Sequence, residues 1–217
     1  MIKLRINDER DIKYLLPILQ SQVKENGLYR GDYRFRLRKE EIIPQYFLNR
    51  IIFNHKEAFQ QNNYYLGKEI RLYINNLIID ENNLNCIGGE SYLYGLNKEK
   101  VNFYTNNKII YEDALFNLKL YRINFKLNLI DYNKDKIDFE NYPLIINLSK
   151  LNTFLLKEIN KSKIKKIIII SCHHNDFWKK INILCNYKLI KRKQFINQLF
   201  FLTVNLFHLK NLKYIDF

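Results

Sequence analysis

The sequence predicts an α/β protein built on a mixed, mostly antiparallel sheet with helices on both faces and an enlarged strand-rich middle. Three observations carry this. The chain opens on an alternating strand followed by a helical stripe. Residues 64–132 read as strands broken by turn signals. The C-terminal third runs strand, helix, strand, helix, strand, strand.

Ile2, Leu4 and Ile6 alternate with Lys3, Arg5 and Asn7, a short strand. Asn7 or Asp8 caps a helix whose stripe is Ile12, Leu15, Leu16, Ile18, Leu19 and Val23, kinked or restarted at Pro17. A second helix runs from Glu40 to about Gln61, with Ile42, Ile43, Phe47, Ile51, Ile52 and Phe59 apolar. In the middle, Ile70, Leu72 and Ile74 alternate, and Cys86–Tyr94, Val101–Tyr104 and Tyr121–Ile130 read as strands of an antiparallel sheet. Asn133–Asp138 is a polar turn and Leu144-Ile145-Ile146 a short strand. Leu151, Phe154, Leu155, Ile159 and Ile164 mark a helix. Ile167–Ile170 is a buried strand, being wholly apolar and β-branched. Phe177–Leu184 gives one more helix, and Tyr187–Arg192 with Leu199–Phe207 a closing hairpin. No linker divides the chain, so one domain is expected over residues 1–217.

With 47% hydrophobic and 15% aromatic residues in 217, the chain can bury a sizeable core, which excludes disorder, collagen and coiled coil. Its longest apolar runs, Ile167–Ile170 and Leu199–Val204, fall far short of the ~18 residues of a membrane span. The N-terminus has no secretory apolar stretch, so a soluble cytoplasmic protein is expected. Cys86, Cys172 and Cys185 are an odd, scattered set, read as buried free thiols with no disulfide framework and no metal site. The net charge of +14 points to polyanionic partners, nucleic acid among them. A competing cause exists: Ile, Asn, Lys and Tyr make up nearly half the chain, and their codons are AT-rich. Drift in an AT-rich genome supplies lysine without selection for binding.

Arginine is scarcer, so Arg30, Arg34, Arg36 and Arg38 stand out. In an extended chain Arg34, Arg36 and Arg38 share one face, a candidate clamp on a phosphorylated ligand, CoA or RNA. The plainer alternative is a solvated strand face paired with Glu40 and Glu41. Gly88-Gly89 marks a bulge or a close backbone approach, and Glu90 beside it is a candidate general base for an amine. His173 and His174 follow the buried strand, where an imidazole of ordinary pKa ~6.5 suits base catalysis. Trp178, the only tryptophan, reads as core packing. Lys161–Lys166 and Lys188–Lys193 are interleaved with apolar residues, as a solvated face or an RNA-binding face would be. Glu9 and His208 could form the acid–base pair of a metal-independent ribonuclease if the two ends met.

Both ends of the chain resemble the GNAT acyltransferase superfamily. Ile2-Lys3-Leu4-Arg5-Ile6-Asn7-Asp8 through Ile12 resembles its opening strand and helix. Leu155-Leu156-Lys157-Glu158-Ile159, the lysine-flanked strand Ile167–Ile170, and the stretch from Asn175 to Tyr187 resemble its closing half. The resemblance covers about residues 1–25 and 145–207 and leaves a divergent middle, 26–144. It implies transfer of an acyl group from acetyl-CoA or another acyl-CoA to an amine acceptor, with Glu90 or His174 as base. It also implies that Asn147, Leu148, Ser149, Lys150, Leu151 and Asn152, with Asn175, hold the cofactor. The family's glycine-rich loop is missing there, since no glycine follows Gly95. The alternatives are a basic RNA-binding protein, a metal-independent ribonuclease, or a GNAT-like pseudoenzyme acting as a binding partner.

Overall fold

The computed structural model describes residues 42–47, 50–55, 64–172, 174–196 and 201–210. The expected N-terminal strand and helix, Glu9, the Arg30–Arg38 cluster and His173 lie outside the described residues.

A hairpin, β1 (Ile42–Phe47) and β2 (Arg50–His55), precedes α1 (Tyr64–Leu77), β3 (Asn83–Ile87) and a 3-10 helix over Ser91–Asn97. Then come β4 (Lys100–Thr105), α2 (Lys108–Leu120), β5 (Asn124–Leu129), β6 (Leu144–Asn147) and α3 (Thr153–Lys161). The chain goes on through β7 (Lys166–Ser171), α4 (His174–Ile181), β8 (Tyr187–Ile196) and β9 (Phe201–Leu209). Among the described residues seven strands form one sheet in the order β5-β4-β3-β6-β7-β9-β8. This is the expected mixed α/β sheet, but its majority is parallel. The pairings β3–β4, β4–β5, β3–β6 and β6–β7 are parallel, and only β9 runs antiparallel, against β7 on one side and β8 on the other. Parallel neighbours need crossovers, and α2 and α3 supply two of them.

Helices cover both faces, so successive residues of a central strand feed different cores. Cys86, Ile145, Ile168 and Ile170 pack with Ile70 and Ile74 of α1 and Ile110, Ala114 and Leu118 of α2. Ile87, Ile146, Ile167 and Ile169 pack with Leu155, Leu156 and Ile159 of α3 and Phe177 and Ile181 of α4. A strand buried on both sides has no polar face, which is why Ile167–Ile170 is continuously apolar.

Several sequence expectations need correction. The helix over Glu40–Gln61 gives way to the β1–β2 hairpin, where Ile51, Ile52 and Phe53 are buried in succession. The alternating strand at Ile70–Ile74 is part of α1. Ile70 and Ile74 are four apart, a spacing that a strand and a helix share, and Leu72 decides between them by being exposed. The strand Cys86–Tyr94 stops at Ile87, where the chain turns at Gly88-Gly89 and enters the 3-10 helix. Helix α2 stands where no element was expected, opened by Asn107, whose side chain accepts from the Ile109 and Ile110 amides at 2.8 and 3.2 Å. Of the cysteines only Cys86 is buried, and Cys172 and Cys185 are exposed. Trp178 is not core. It is 39% exposed, with the Arg192 guanidinium 4.9 Å over its ring.

α2 carries a polar stripe that closes the free edge of β2. Asn117 accepts from the Phe53 amide and donates to the Phe53 carbonyl, both at 2.8 Å, as a neighbouring strand would. Asp113 accepts from the His55 amide at 3.0 Å and pairs with the His55 ring. The Tyr121 hydroxyl donates to the Ile51 carbonyl. Backbone groups of alternate residues 51, 53 and 55 are thus paired by side chains one helical turn apart. Replacing Asn117 with Leu should strand both Phe53 groups and destabilise the fold by about 3 kcal/mol, read as a lower urea midpoint with an unchanged slope.

Candidate active site at the carboxyl edge of the parallel strands

β3 and β6 are neighbours in the sheet but not in the chain: from β3 the chain moves outward to β4 and β5, and from β6 it moves the other way to β7. Open α/β sheets bind ligands outside the carboxyl ends of their strands at such a switch point. Here that edge gathers Gly88-Gly89-Glu90 after β3, Thr105-Asn106-Asn107 after β4, Asp131-Tyr132 beyond β5, Asn147–Lys150 after β6, and Ser171-Cys172 after β7.

The glycine turn is the tightest part. Gly88 and Gly89 have φ of +66° and +47°, in the left-handed region. A Cβ on either would stand 2.9 Å from the Asn147 carbonyl oxygen, and on Gly88 it would also strike the Leu148 side chain. The sequence reading of a close backbone approach holds, and the surface approached is the exit of β6. The Gly88 amide donates to the Tyr104 carbonyl at 2.9 Å, and Ser91 donates to the Gly88 carbonyl from its hydroxyl at 2.7 Å.

Glu90 closes the turn but is not a free base. It is buried against Arg71 of α1, with Nη2 2.7 Å and Nε 3.3 Å from its two carboxylate oxygens. Burial works against the Arg71 charge, but the adjoining Glu90 carboxylate outweighs it and raises its pKa. Sequence reasoning missed Arg71, because its ordinary helical position gives no sign of a partner nineteen residues on.

The loop after β6 is committed to the protein. The Leu151 amide donates to the Asp176 carboxylate at 3.2 Å, and its carbonyl accepts from Lys180 at 2.7 Å. Asn152 caps α3 by accepting from the Leu155 amide at 2.9 Å and reaches Asn133 at 2.8 Å. A pyrophosphate cradle needs these amides, and a carboxylate already holds one of them. Ser149 and Lys150 are exposed and Asn147 is buried. His174 and Asn175 open α4, which places both near the β7 exit. Cys172 is exposed there, its Sγ 4.0 Å from the Ser149 carbonyl, and partial burial raises its thiol pKa. His208 pairs in register with Lys166, the first residue of β7, so it lies at the opposite edge from this site. Among the described residues no cluster of His, Cys, Asp and Glu could hold a metal, and no helix is long and apolar enough to cross a membrane.

No protein-family model matches the chain, and no curated protein matches it. Solved structures do share its fold. The Pyrococcus abyssi tRNA (uracil-54, C5)-methyltransferase, in complex with S-adenosyl-L-homocysteine, aligns with a TM-score of 0.65 at 16% identity, over 77% of this chain and 44% of that one. The M. jannaschii tRNA m1G37 methyltransferase gives 0.58 at 15% identity, over 79% and 55%. M. jannaschii TYW2 in complex with AdoMet gives 0.56 at 15% identity, over 79% and 88%. This chain spans about half the length of the first two. At such identities the likeness establishes the fold alone, a Rossmann-like α/β sheet.

The GNAT resemblance is thereby overturned. Strand, helix and strand recur in the same order in both architectures, so short end motifs match either one. With it go acyl transfer, the acyl-CoA cofactor and the amine-acylating roles of Glu90 and His174.

The Arg71–Glu90 pair offers a clean test. Removing either partner alone leaves a buried charge and should cost about 3–5 kcal/mol, whereas the double replacement Arg71→Met with Glu90→Leu should cost less than either single change. Urea unfolding of the four proteins reads the coupling.

Proposed function

We propose that the chain binds an S-adenosylmethionine-type cofactor at the carboxyl edge of β3, β4 and β6 and methylates RNA. The β5-β4-β3-β6-β7-β9-β8 sheet, superposable on two tRNA methyltransferases and on AdoMet-bound TYW2, supports the reading most directly. The solved complex of aTrm5 with tRNALeu, at TM-score 0.56 and 17% identity, supports RNA as the acceptor, as does the +14 charge.

The residues at the edge fit such a group, with one substitution. The Gly88-Gly89 turn, in the left-handed region at the end of β3, stands where nucleotide-binding folds place their glycine turn, which supports a ligand there. About 20 residues beyond that turn such folds place an acid on the ribose hydroxyls, and here exposed Asn106 stands in that region. An amide offers one acceptor and two donors to a diol, without the charge. When bound, the cofactor supplies an electrophilic methyl group on a sulfonium. Asn106 would hold the ribose, and the Gly89 and Glu90 amides the amino-acid carboxylate. Arg71 keeps the turn in place through Glu90. Ser149, Lys150 and Cys172 lie where the acceptor would enter, with Lys150 suited to a phosphate.

S-adenosyl-L-homocysteine at 100 times its dissociation constant should stabilise the chain by about 2.7 kcal/mol in thermal unfolding, and acetyl-CoA should have no effect. Gly89→Val should abolish the shift. Incorporation of radiolabelled methyl from S-adenosylmethionine into bulk tRNA tests the transfer. A shift with acetyl-CoA and none with S-adenosyl-L-homocysteine would overturn the reading.

A further inference from the structure

We propose that the outer edge of the sheet, strand β8 together with Tyr73 of α1, is a track that docks single-stranded RNA and leads it to the carboxyl edge. The inference rests on the reading of the chain as an RNA-modifying protein.

β8 carries Lys188, Lys191, Arg192 and Lys193 and no acidic residue. In a regular strand Lys188 would share its face with Ile190 and Arg192. The register with β9 shifts instead between Leu189 and Lys191, which makes Ile190 the extra residue of a bulge. Lys188, Lys191 and Lys193 then stand opposite His208, Leu206 and Val204, alternate residues of β9, and so share one face. All three are exposed, and among the described residues no carboxylate pairs with them.

The same face holds aromatic rings. The Tyr73 ring centroid lies 4.7 Å from the Lys193 ammonium and 5.7 Å from that of Lys191. Phe195 is buried and braces Tyr73 edge-on at 5.7 Å, which leaves the half-buried Tyr73 as the ring this face offers to a base. On the other face of β8, Arg192 covers the half-exposed Trp178. Cations beside aromatic planes are the elements with which proteins hold single strands, binding phosphate and stacking bases with little regard to sequence.

The register also aims the track. Lys193 opposes Val204, and Val204 opposes Ile170, the residue before Ser171 at the β7 exit. Two strand spacings separate Lys193 from Ile170, about 10 Å. β8 runs in the same direction as β7, so its lysines ascend toward the candidate site. This alignment, together with the rings, favours RNA over an anionic membrane surface.

The test is fluorescence anisotropy of a fluorescein-labelled single-stranded RNA with the full chain, between about 50 and 200 mM salt. Three proteins are compared: wild type, K188Q/K191Q/K193Q, and a charge-matched control at exposed lysines outside β8, K119Q/K126Q/K157Q. The β8 variant should bind about tenfold more weakly, with its log–log salt slope reduced by about 2, while the control changes less than about threefold. Tyr73→Leu should weaken binding without changing the slope. Equal losses in both triple variants, no loss in the β8 variant, or no RNA binding by wild type would each overturn the track. So would a β8 variant that loses binding to phosphatidylserine vesicles but keeps RNA. Thermal shift with S-adenosyl-L-homocysteine on the same proteins separates the two ideas. A wild type without that shift defeats the cofactor reading, while the contrast between the β8 variant and the control still decides the track.

Discussion

The contact between the glycine turn after β3 and the exit of β6 organises the rest of the structure. Two residues without side chains, both in the left-handed region, let the backbone of one strand end press against the carbonyl of Asn147 on its neighbour. Those two strands are where the sheet changes winding direction. Any side chain at the turn would force them apart or collapse the turn onto β6. Bare backbone at this point is also what a nucleotide-type ligand requires for close approach. The same feature therefore serves the packing of the sheet and the proposed chemistry.

Buried polar groups hold the surrounding pieces in place. Arg71 and Glu90 tie α1 to the turn, so that one helix fixes the shape of the loop nearest the site. Asp113 and Asn117 of α2, with Tyr121 at its C-cap, act as a strand substitute for β2, pairing the Phe53 amide and carbonyl, the His55 amide and the Ile51 carbonyl. Such interactions contribute little net stability when complete and cost much when one partner is lost. Their main contribution is geometric: each permits one arrangement of its elements. Tyr92, in the 3-10 helix that follows the glycine turn, joins the second network by accepting from Asn117 at 3.2 Å, and it donates to Asn54 of the hairpin at 2.8 Å. Hairpin, α2 and turn are thus connected through hydrogen bonds within the buried interior.

Charge is distributed unevenly over this frame. Lys166 and Lys98 are used structurally, pairing with Glu81 and with the Ile78 carbonyl near the end of α1. Among the described residues the lysines Lys188, Lys191 and Lys193 of β8 have no carboxylate partner, and a single bulge gathers them on one face. Drift toward AT-rich codons can explain how many lysines the chain has. It does not explain their collection beside aromatic rings along one edge strand.

The sequence alone determined the layered α/β class, because apolar periodicity and length distinguish strands such as Ile167–Ile170 from helices such as α3. It also marked Gly88-Gly89-Glu90, since paired glycines after an apolar strand require a backbone that other residues resist. Strand order was not legible. A β–α–β succession is common to GNAT-like and Rossmann-like sheets, and which strands lie side by side depends on contacts between residues far apart in the chain. Parallel and antiparallel strands have the same local pattern when both faces are buried, so the antiparallel expectation had no local check. Ile70 and Ile74 satisfied either period, and only the core they enter made that segment a helix. The partners Arg71 for Glu90 and Tyr73 for Lys193 were equally hidden, because a side chain's neighbour across the fold leaves no trace in its own surroundings in sequence. Local propensity and periodicity are properties of short windows, whereas sheet order and site assembly arise from long-range packing, which only the tertiary structure contains.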